Sequence, residues 1–263
     1  MSWTVKKIIE SKGKAPLATI TAYDTITAKM ADEAGVALIL VGDSLGTTAL
    51  GFETTVPVTM EAMLHHAAAV RRGVKNALVV VDMPFLSYQV NDDEAIRNAG
   101  RVLQKTGADA VKLEGGTIRA GLIRRMVDNG IPVMAHLGVL PQSVKASGYA
   151  AKGRAEEEIS KLKEDTAAVA KAGAFCTVLE CVTPDVAAEL TAMSTVPTIG
   201  IGSGNACDGQ IIVIADLLGM IDGPAPKFVK KYAEFAQIGK AAIKAYIADV
   251  QSRDYPDESH TYK

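Results

Sequence analysis

Apolar residues in this chain fall into short continuous runs, separated by longer stretches in which they recur every three or four positions. The runs at 17–21, 37–42, 77–82, 110–114, 132–135, 175–180 and 197–201 predict strands, and several, such as Ala77 to Val81, contain no polar position at all. A strand that does not alternate is covered on both faces, which is the condition of a parallel strand flanked by crossover helices. The intervening stretches carry helix signals. Asn91 followed by Asp92, Asp93 and Glu94 reads as a cap with an acidic first turn, and Ile96, Ala99, Val102 and Leu103 follow at helical spacing. Thr183-Pro184 opens another helix, with Val186, Leu190 and Met193 on one face. Residues 60–70 and 240–253, the latter through Ile243, Ile247 and Val250, predict two more.

Seven strands in strict alternation with helices point to an α/β (β/α)8 TIM-type barrel, whose eighth strand is expected between 210 and 230. A doubly wound open sheet would need a glycine-rich turn after the first strand, and Thr19-Ile-Thr-Ala-Tyr-Asp-Thr has no glycine. The length of 263 residues suits one barrel domain spanning residues 1–263. Lys plus Arg number 28 against 30 Asp plus Glu, so no broad basic face awaits nucleic acid or a membrane surface, and a small-molecule partner is expected. The first residues lack an apolar signal core and no run is long enough to span a bilayer, which predicts a cytoplasmic protein. Cys176, Cys181 and Cys207 form neither a metal-type pair nor an even framework, so reduced thiols are expected.

The candidate chemistry lies where the apolar runs end. Asp43 and Ser44 close the second strand, Asp82 the third, Lys112 and Glu114 the fourth, His136 the fifth and Glu180 the sixth. In a barrel these converge on one mouth, where such folds keep their active sites. One acid at a strand end often caps the next helix; several together call for another explanation. Lys112 and Glu114 are two apart and so face the same side. Asp43, Asp82 and Glu114 would form an all-oxygen cluster that repels itself unless a cation sits among them, and hard oxygen donors favour Mg2+ or Mn2+ over zinc. The glycine-rich 200–204 segment is either a phosphate cup or a tight turn, and His65-His66 lies in a helical run where packing or exposure is the ordinary fate. Residues 43–58 and 138–154 lack a helical period and are expected to be lids or substrate walls.

These motifs also carry a resemblance. Thr19-Ile-Thr-Ala-Tyr-Asp24, Val41-Gly-Asp-Ser-Leu-Gly46, Val81-Asp-Met-Pro-Phe85, Val111-Lys-Leu-Glu-Gly-Gly116, His136-Leu-Gly138, Pro141-Gln-Ser143, Leu179-Glu-Cys181 and Ile199-Gly-Ile-Gly202 are similar to the ketopantoate hydroxymethyltransferase family across nearly the whole chain. The resemblance implies a Mg2+-dependent barrel related to the phosphoenolpyruvate mutase and isocitrate lyase group, assembled as a homo-oligomer, commonly a decamer. It implies transfer of a hydroxymethyl group from 5,10-methylenetetrahydrofolate to 3-methyl-2-oxobutanoate through a Mg-stabilised enolate, giving 2-dehydropantoate for pantothenate biosynthesis. By the same resemblance Asp43, Asp82 and Glu114 are metal ligands, Ser44, Asp82, Lys112 and Asp43 bind the oxoacid, and Glu180 is the catalytic proton acceptor. Two departures stand out. Residues 139–150 are one residue shorter than the Leu-Thr-Pro-Gln and Phe-Gly-Gly stretch usual in that family, and Ser203 stands where alanine is usual. Three readings compete: a Schiff-base Lys112, which Glu114 opposes by keeping the ammonium charged; another Mg2+ enolate enzyme acting without folate; and a non-enzymatic scaffold.

Overall fold

The computed structural model describes residues 2–144, 148–223 and 225–262. In chain order the elements are α1 (Val5–Ile9), β1 (Leu17–Thr21), α2 (Thr25–Ala34), β2 (Leu38–Val41), α3 (Leu45–Thr48), α4 (Met60–Gly73) and β3 (Leu78–Asp82). Then come α5 (Asp92–Thr106), β4 (Ala110–Glu114), α6 (Thr117–Asp128), β5 (Val133–Gly138), a 3-10 turn at Pro141–Ser143, α7 (Glu156–Lys171) and β6 (Cys176–Glu180). The chain continues through α8 (Pro184–Met193), β7 (Thr198–Ile201), β8 (Gly209–Ile212), α9 (Ile214–Leu217) and α10 (Phe235–Ser252). The eight strands are all parallel and close in sequence order, β8 pairing back onto β1.

The chain divides into two compact units, residues 1–214 and 215–263, and the barrel lies wholly within the first. Its eighth strand begins one residue before the expected window. Only Ile211 and Ile212 give it apolar character, and pairing to β1 and β7, which pattern does not reveal, makes it a strand. The second unit contains α10, which starts five residues before the expected 240–253; Ile238, Ile243, Ile247 and Val250 on it are exposed. No helix among the described residues is long and apolar enough to cross a membrane.

Period two explains how the barrel is filled. Leu38 and Leu40, Leu78 and Val80, Ala110, Met134, Cys176 and Val178, Ile199 and Ile211 pack together in one buried cluster. They are alternate strand residues, so every second side chain points to the axis, and each large one contributes about 1.5–3 kcal/mol by leaving water. Ile8 of α1, with Trp3 and Val5, packs against the same cluster. Two steps further along the same columns stand Gly42, Asp82, Lys112, Glu114, His136 and Glu180. The lower barrel is thus an apolar plug, and the polar residues occupy the same inward positions nearer the carboxyl ends.

Candidate active site

The register of β3 to β6 assembles the polar layer. Asp82 pairs with Lys112, Glu114 with His136 and Gly138 with Glu180, so these side chains climb the barrel wall as a staircase on one face. Asp82 Oδ1 stands 2.7 Å from Lys112 Nζ. Lys112 Nζ is 3.3 Å from His136 Nδ1, and His136 Nε2 is 3.1 Å from Glu180 Oε2. An ammonium can only donate, so Nδ1 is the acceptor and the imidazole proton sits on Nε2, facing Glu180. Burial and Lys112 lower the His136 pKa, which keeps the ring neutral. Asp82, Lys112, Glu114 and His136 are buried, whereas Glu180 keeps 20 % of its side chain open to the mouth.

Asp43 and Ser44 lie in the turn between β2 and α3. The Asp43 backbone N–H donates to Asp82 Oδ2 at 3.0 Å, tying that turn to β3. Gly42 makes this approach possible, because a Cβ there would lie 2.9 Å from Ser44 Oγ and 3.4 Å from Asp82 Oδ2. Gln142, from the Pro141–Ser143 turn, completes the wall. Its side-chain amide donates to Asp43 Oδ2 and to the Met83 carbonyl, both at 2.9 Å, while its backbone N–H donates to Glu114 Oε2 at 3.2 Å. The Tyr88 hydroxyl in turn donates to Gln142 Oε1 at 2.8 Å and accepts the Glu114 N–H at 3.2 Å. Asp24 shows the alternative fate of an acid after a strand: its carboxylate caps α2 through the Ile26 and Thr27 N–H groups.

Glu180 is followed by a held turn. Cys181 has φ +50°, a region that side-chain-bearing residues seldom adopt. The Ser203 hydroxyl donates to the Leu179 carbonyl at 2.8 Å and accepts the Val182 N–H at 3.0 Å, bridging the backbone on both sides of Glu180 and Cys181. Ser203 is fully buried and its hydroxyl is engaged by protein, which makes it a holder of the turn after β6. From the other side, Lys152 docks on the same turn by donating its N–H to the Cys181 carbonyl and accepting that of Thr183, both at 2.9 Å. This part of the 138–154 stretch is therefore a fixed wall; residues 145–147 of it lie outside the described set. The three cysteines are free, with Cys176 and Cys207 buried.

Electrostatics follow from burying so many charges together. Desolvation, and then repulsion from Asp82, push the Asp43 carboxyl up to about 7. Desolvation raises Glu114 to about 9, against the pull of Lys112 and with the push of Asp43 and Asp82. Burial alone would lower the Lys112 pKa, yet Asp82, Asp43 and Glu114 outweigh it and hold the amine charged. A charged lysine is a carboxylate anchor and not a Schiff-base nucleophile. The donor set suits a hard divalent cation. It is all oxygen, and Asp82 Oδ1 accepts no well-aligned hydrogen bond despite its proximity to Lys112. Among the described residues no three His, Cys, Asp or Glu side chains are gathered tightly enough to enclose an ion. Mg2+ needs no such cage, since it retains several waters and takes one or two carboxylates directly.

A pH dependence follows. A carboxyl whose pKa is raised by folding binds more protons in the native state, so the stability present at low pH is lost as pH rises through the folded value. Metal-free protein is therefore expected to lose stability, and with it melting temperature, from about pH 4 up to about pH 9 as Asp43 and Glu114 ionise, the stability falling by up to about 1.4 kcal/mol per pH unit for each group. Added Mg2+ should stabilise more at pH 8.5 than at pH 6. Thermal melts with chelator and with Mg2+ across this range test it; a metal-free melting temperature that climbs over the window contradicts it.

The comparisons decide the family. The sequence matches the family described as ketopantoate hydroxymethyltransferase over residues 2–258. It is 49% identical over 260 residues to the 3-methyl-2-oxobutanoate hydroxymethyltransferase of Pseudothermotoga lettingae, covering 98% of each chain. The enzyme of that name from Carboxydothermus hydrogenoformans is 50% identical over 261 residues, covering 98% of this chain and 95% of the relative. The chain belongs to the ketopantoate hydroxymethyltransferase family. It is accordingly an enzyme, a transferase. Solved structures of other proteins share the barrel fold. A 2,3-dimethylmalate lyase of the phosphoenolpyruvate mutase and isocitrate lyase superfamily superposes with TM-score 0.60 at 16% identity, covering 99% of this chain and 92% of the other. A phosphonopyruvate hydrolase solved with oxalate and Mg2+ gives 0.62 at 13%, with the same coverage.

Within the hydroxymethyltransferase the strand-end residues singled out from sequence all reach one mouth. Asp43, Asp82, Lys112 and Glu114 are buried together, Glu180 joins them through His136, and Ser44 stands at the rim beside Tyr23. Three partners were not assigned a role from sequence. His136 bridges Lys112 and Glu180, Gln142 ties Asp43 to Glu114, and Tyr23 meets Ser44. His136 was visible as a polar strand end, but its link to Glu180 depends on the β5–β6 register. Gln142 sits 99 residues from Asp43 along the chain, and nothing local marks that contact. Of the histidine pair, His65 is exposed, and His66 Nδ1 donates to the Tyr23 carbonyl at 2.6 Å.

Proposed function

We propose that this hydroxymethyltransferase transfers a one-carbon unit from 5,10-methylenetetrahydrofolate to 3-methyl-2-oxobutanoate, forming 2-dehydropantoate and tetrahydrofolate in pantothenate biosynthesis. The observation that carries the reading is the Asp82–Lys112–His136–Glu180 staircase, which sets a partly exposed carboxylate one imidazole away from a buried cation. The substrate is an anion with an acidic C–H next to its keto group. Lys112 and Ser44 bind its carboxylate, the first by charge and the second by its hydroxyl. Glu180 takes the proton from C3, with His136 Nε2 beside that carboxylate at 3.1 Å. C3 then bonds to the donor's one-carbon unit, a water supplies the hydroxyl oxygen, and tetrahydrofolate leaves. Asp43, Asp82 and Glu114 are the candidates to hold Mg2+, one or two of them directly and the rest through its waters, with Asp43 also facing the oxoacid. When bound, the ion would supply Lewis-acid polarisation of the keto group, so that a carboxylate of ordinary strength suffices as base.

The enzyme is further proposed to act in the cytoplasm as a homo-oligomer; the exposed apolar residues of α10 support the second point. The deciding experiment is NMR detection of product from oxoacid, 5,10-methylenetetrahydrofolate and Mg2+. We expect 2-dehydropantoate, with no product when folate or metal is omitted. Turnover of the oxoacid without folate would replace this reading with another enolate chemistry.

A further inference from the structure

Three strands in a row end in the three acids proposed for the cation: Asp43 in the turn after β2, Asp82 on β3 and Glu114 on β4. Pairing fixes β2 against β3 and β3 against β4, but no ladder joins β2 to β4. The spacing of Asp43 from Glu114 is therefore not set by direct pairing. Gln142, which follows β5 in the chain, touches all three strand ends. Its side-chain Nε2 donates to Asp43 Oδ2 beyond β2 and to the Met83 carbonyl just past β3, both at 2.9 Å, and its backbone N–H donates to Glu114 Oε2 on β4 at 3.2 Å. The amide cannot be turned over. A backbone carbonyl only accepts, so the atom facing Met83 must be the nitrogen, and Oε1 then takes the Tyr88 hydroxyl at 2.8 Å and Gln89 Nε2 at 3.1 Å. Gln142 is 5% exposed and belongs to the short 3-10 turn opened by Pro141.

We infer that Gln142 is a positioning residue for the cation: by holding Asp43 and Glu114 at once it sets the separation of two carboxylates that serve the ion, and it ties occupancy of that site to the rim segment that follows β5. This rests on the reading that Asp43 and Glu114 serve Mg2+, directly or through its waters. A carboxylate with one oxygen held by a fixed donor stops turning about its bond, so its other oxygen keeps one direction. A free carboxylate would have to be ordered when the ion arrives, at a cost in affinity. Coupling of this kind runs both ways. If the turn at Pro141–Ser143 helps the carboxylates receive the ion, the ion must equally steady the turn, and the rim then feels whether metal is present. A glutamine that only filled hydrogen bonds would do neither.

The test is the affinity of metal-free protein for Mn2+, read by electron paramagnetic resonance without either substrate, in Gln142→Met, Asp43→Ala and the double variant. Methionine keeps the volume and the backbone donor to Glu114 but removes the side-chain amide, and affinity is expected to fall about ten- to a hundredfold, the usual cost of losing a group that orients a ligand. In the Asp43→Ala background the same change should add much less, because Gln142 no longer has that carboxylate to hold. An equal factor in both backgrounds makes Gln142 a structural residue and overturns the inference. Hydrogen exchange reads the reciprocal effect: Mg2+ should slow exchange in peptides covering 139–144 of the parent, and by less in Gln142→Met. Gln142→Asn keeps the amide but shortens its reach by one carbon, so it should weaken Mn2+ binding in the same direction, and it serves if Gln142→Met fails to fold. If Asp43→Ala weakens Mn2+ binding while Gln142→Met, or Gln142→Asn in its stead, leaves it unchanged, the inference is wrong and the reading of Asp43 stands. If Asp43→Ala itself leaves Mn2+ affinity unchanged, the reading of Asp43 fails first, and the inference with it.

Discussion

With Mg2+ and 3-methyl-2-oxobutanoate in D2O, Glu180→Gln is expected to exchange the C3 proton about a hundred- to ten-thousandfold more slowly than the parent enzyme, the usual contribution of a general base. The half-reaction needs base and metal but no folate, so it isolates the proton transfer from the carbon transfer. Glutamine keeps the size of the side chain and its place beside His136 Nε2, which stands 3.1 Å from the carboxylate. The Ser203 bridge and the Lys152 contacts involve backbone atoms and survive the change. Metal and oxoacid binding should therefore persist, and the loss should appear in the exchange rate. If the variant exchanges at the parent rate yet makes no product, Glu180 serves the folate side and another group is the base. If it no longer binds the oxoacid, Glu180 belongs to the binding wall.

Asp82→Asn should abolish turnover and weaken Mg2+ or Mn2+ binding by more than about a hundredfold, beyond the range typical of groups that only support a ligand. Asparagine preserves the volume and can still accept the Asp43 N–H. What it removes is the negative charge and the Oδ1 atom beside Lys112. The ammonium then relies on Asp43 and Glu114, the two carboxylates proposed to share the cation with Asp82, so metal and lysine compete for the same charge. Calorimetric titration of the variant, with a thermal melt to confirm folding, measures this. An unchanged metal affinity would remove Asp82 from the ligand set and leave it as the partner of Lys112.

The barrel and its polar mouth were legible because both follow from period two. Once Lys112 and Glu114 are two apart on a strand, they must share a face, and apolar Ala110 two residues earlier fixes that face as inward. The eighth strand was less legible because its four residues begin Gly-Gln, and its identity comes from neighbours far away in sequence. The partners Gln142, Tyr23 and His136 required the register between strands and the path of the loops, which one chain's pattern does not contain. Ser203 had no assigned meaning in the sequence. In the structure its hydroxyl satisfies two buried backbone groups around a positive-φ turn, where an unpaired donor or acceptor would cost about 1–3 kcal/mol.

The column arrangement also bears on which insertions and deletions this barrel can absorb. The direction of His136 is counted from the start of β5, and that of Glu180 from the start of β6. A residue lost after Gly138 leaves both counts intact, whereas one lost inside β4 would turn Lys112 outward and replace it with an apolar neighbour. Deletions between Gly138 and α7 should therefore leave Lys112, His136 and Glu180 facing inward and act through what that segment itself supplies, the Gln142 amide and the Lys152 contacts.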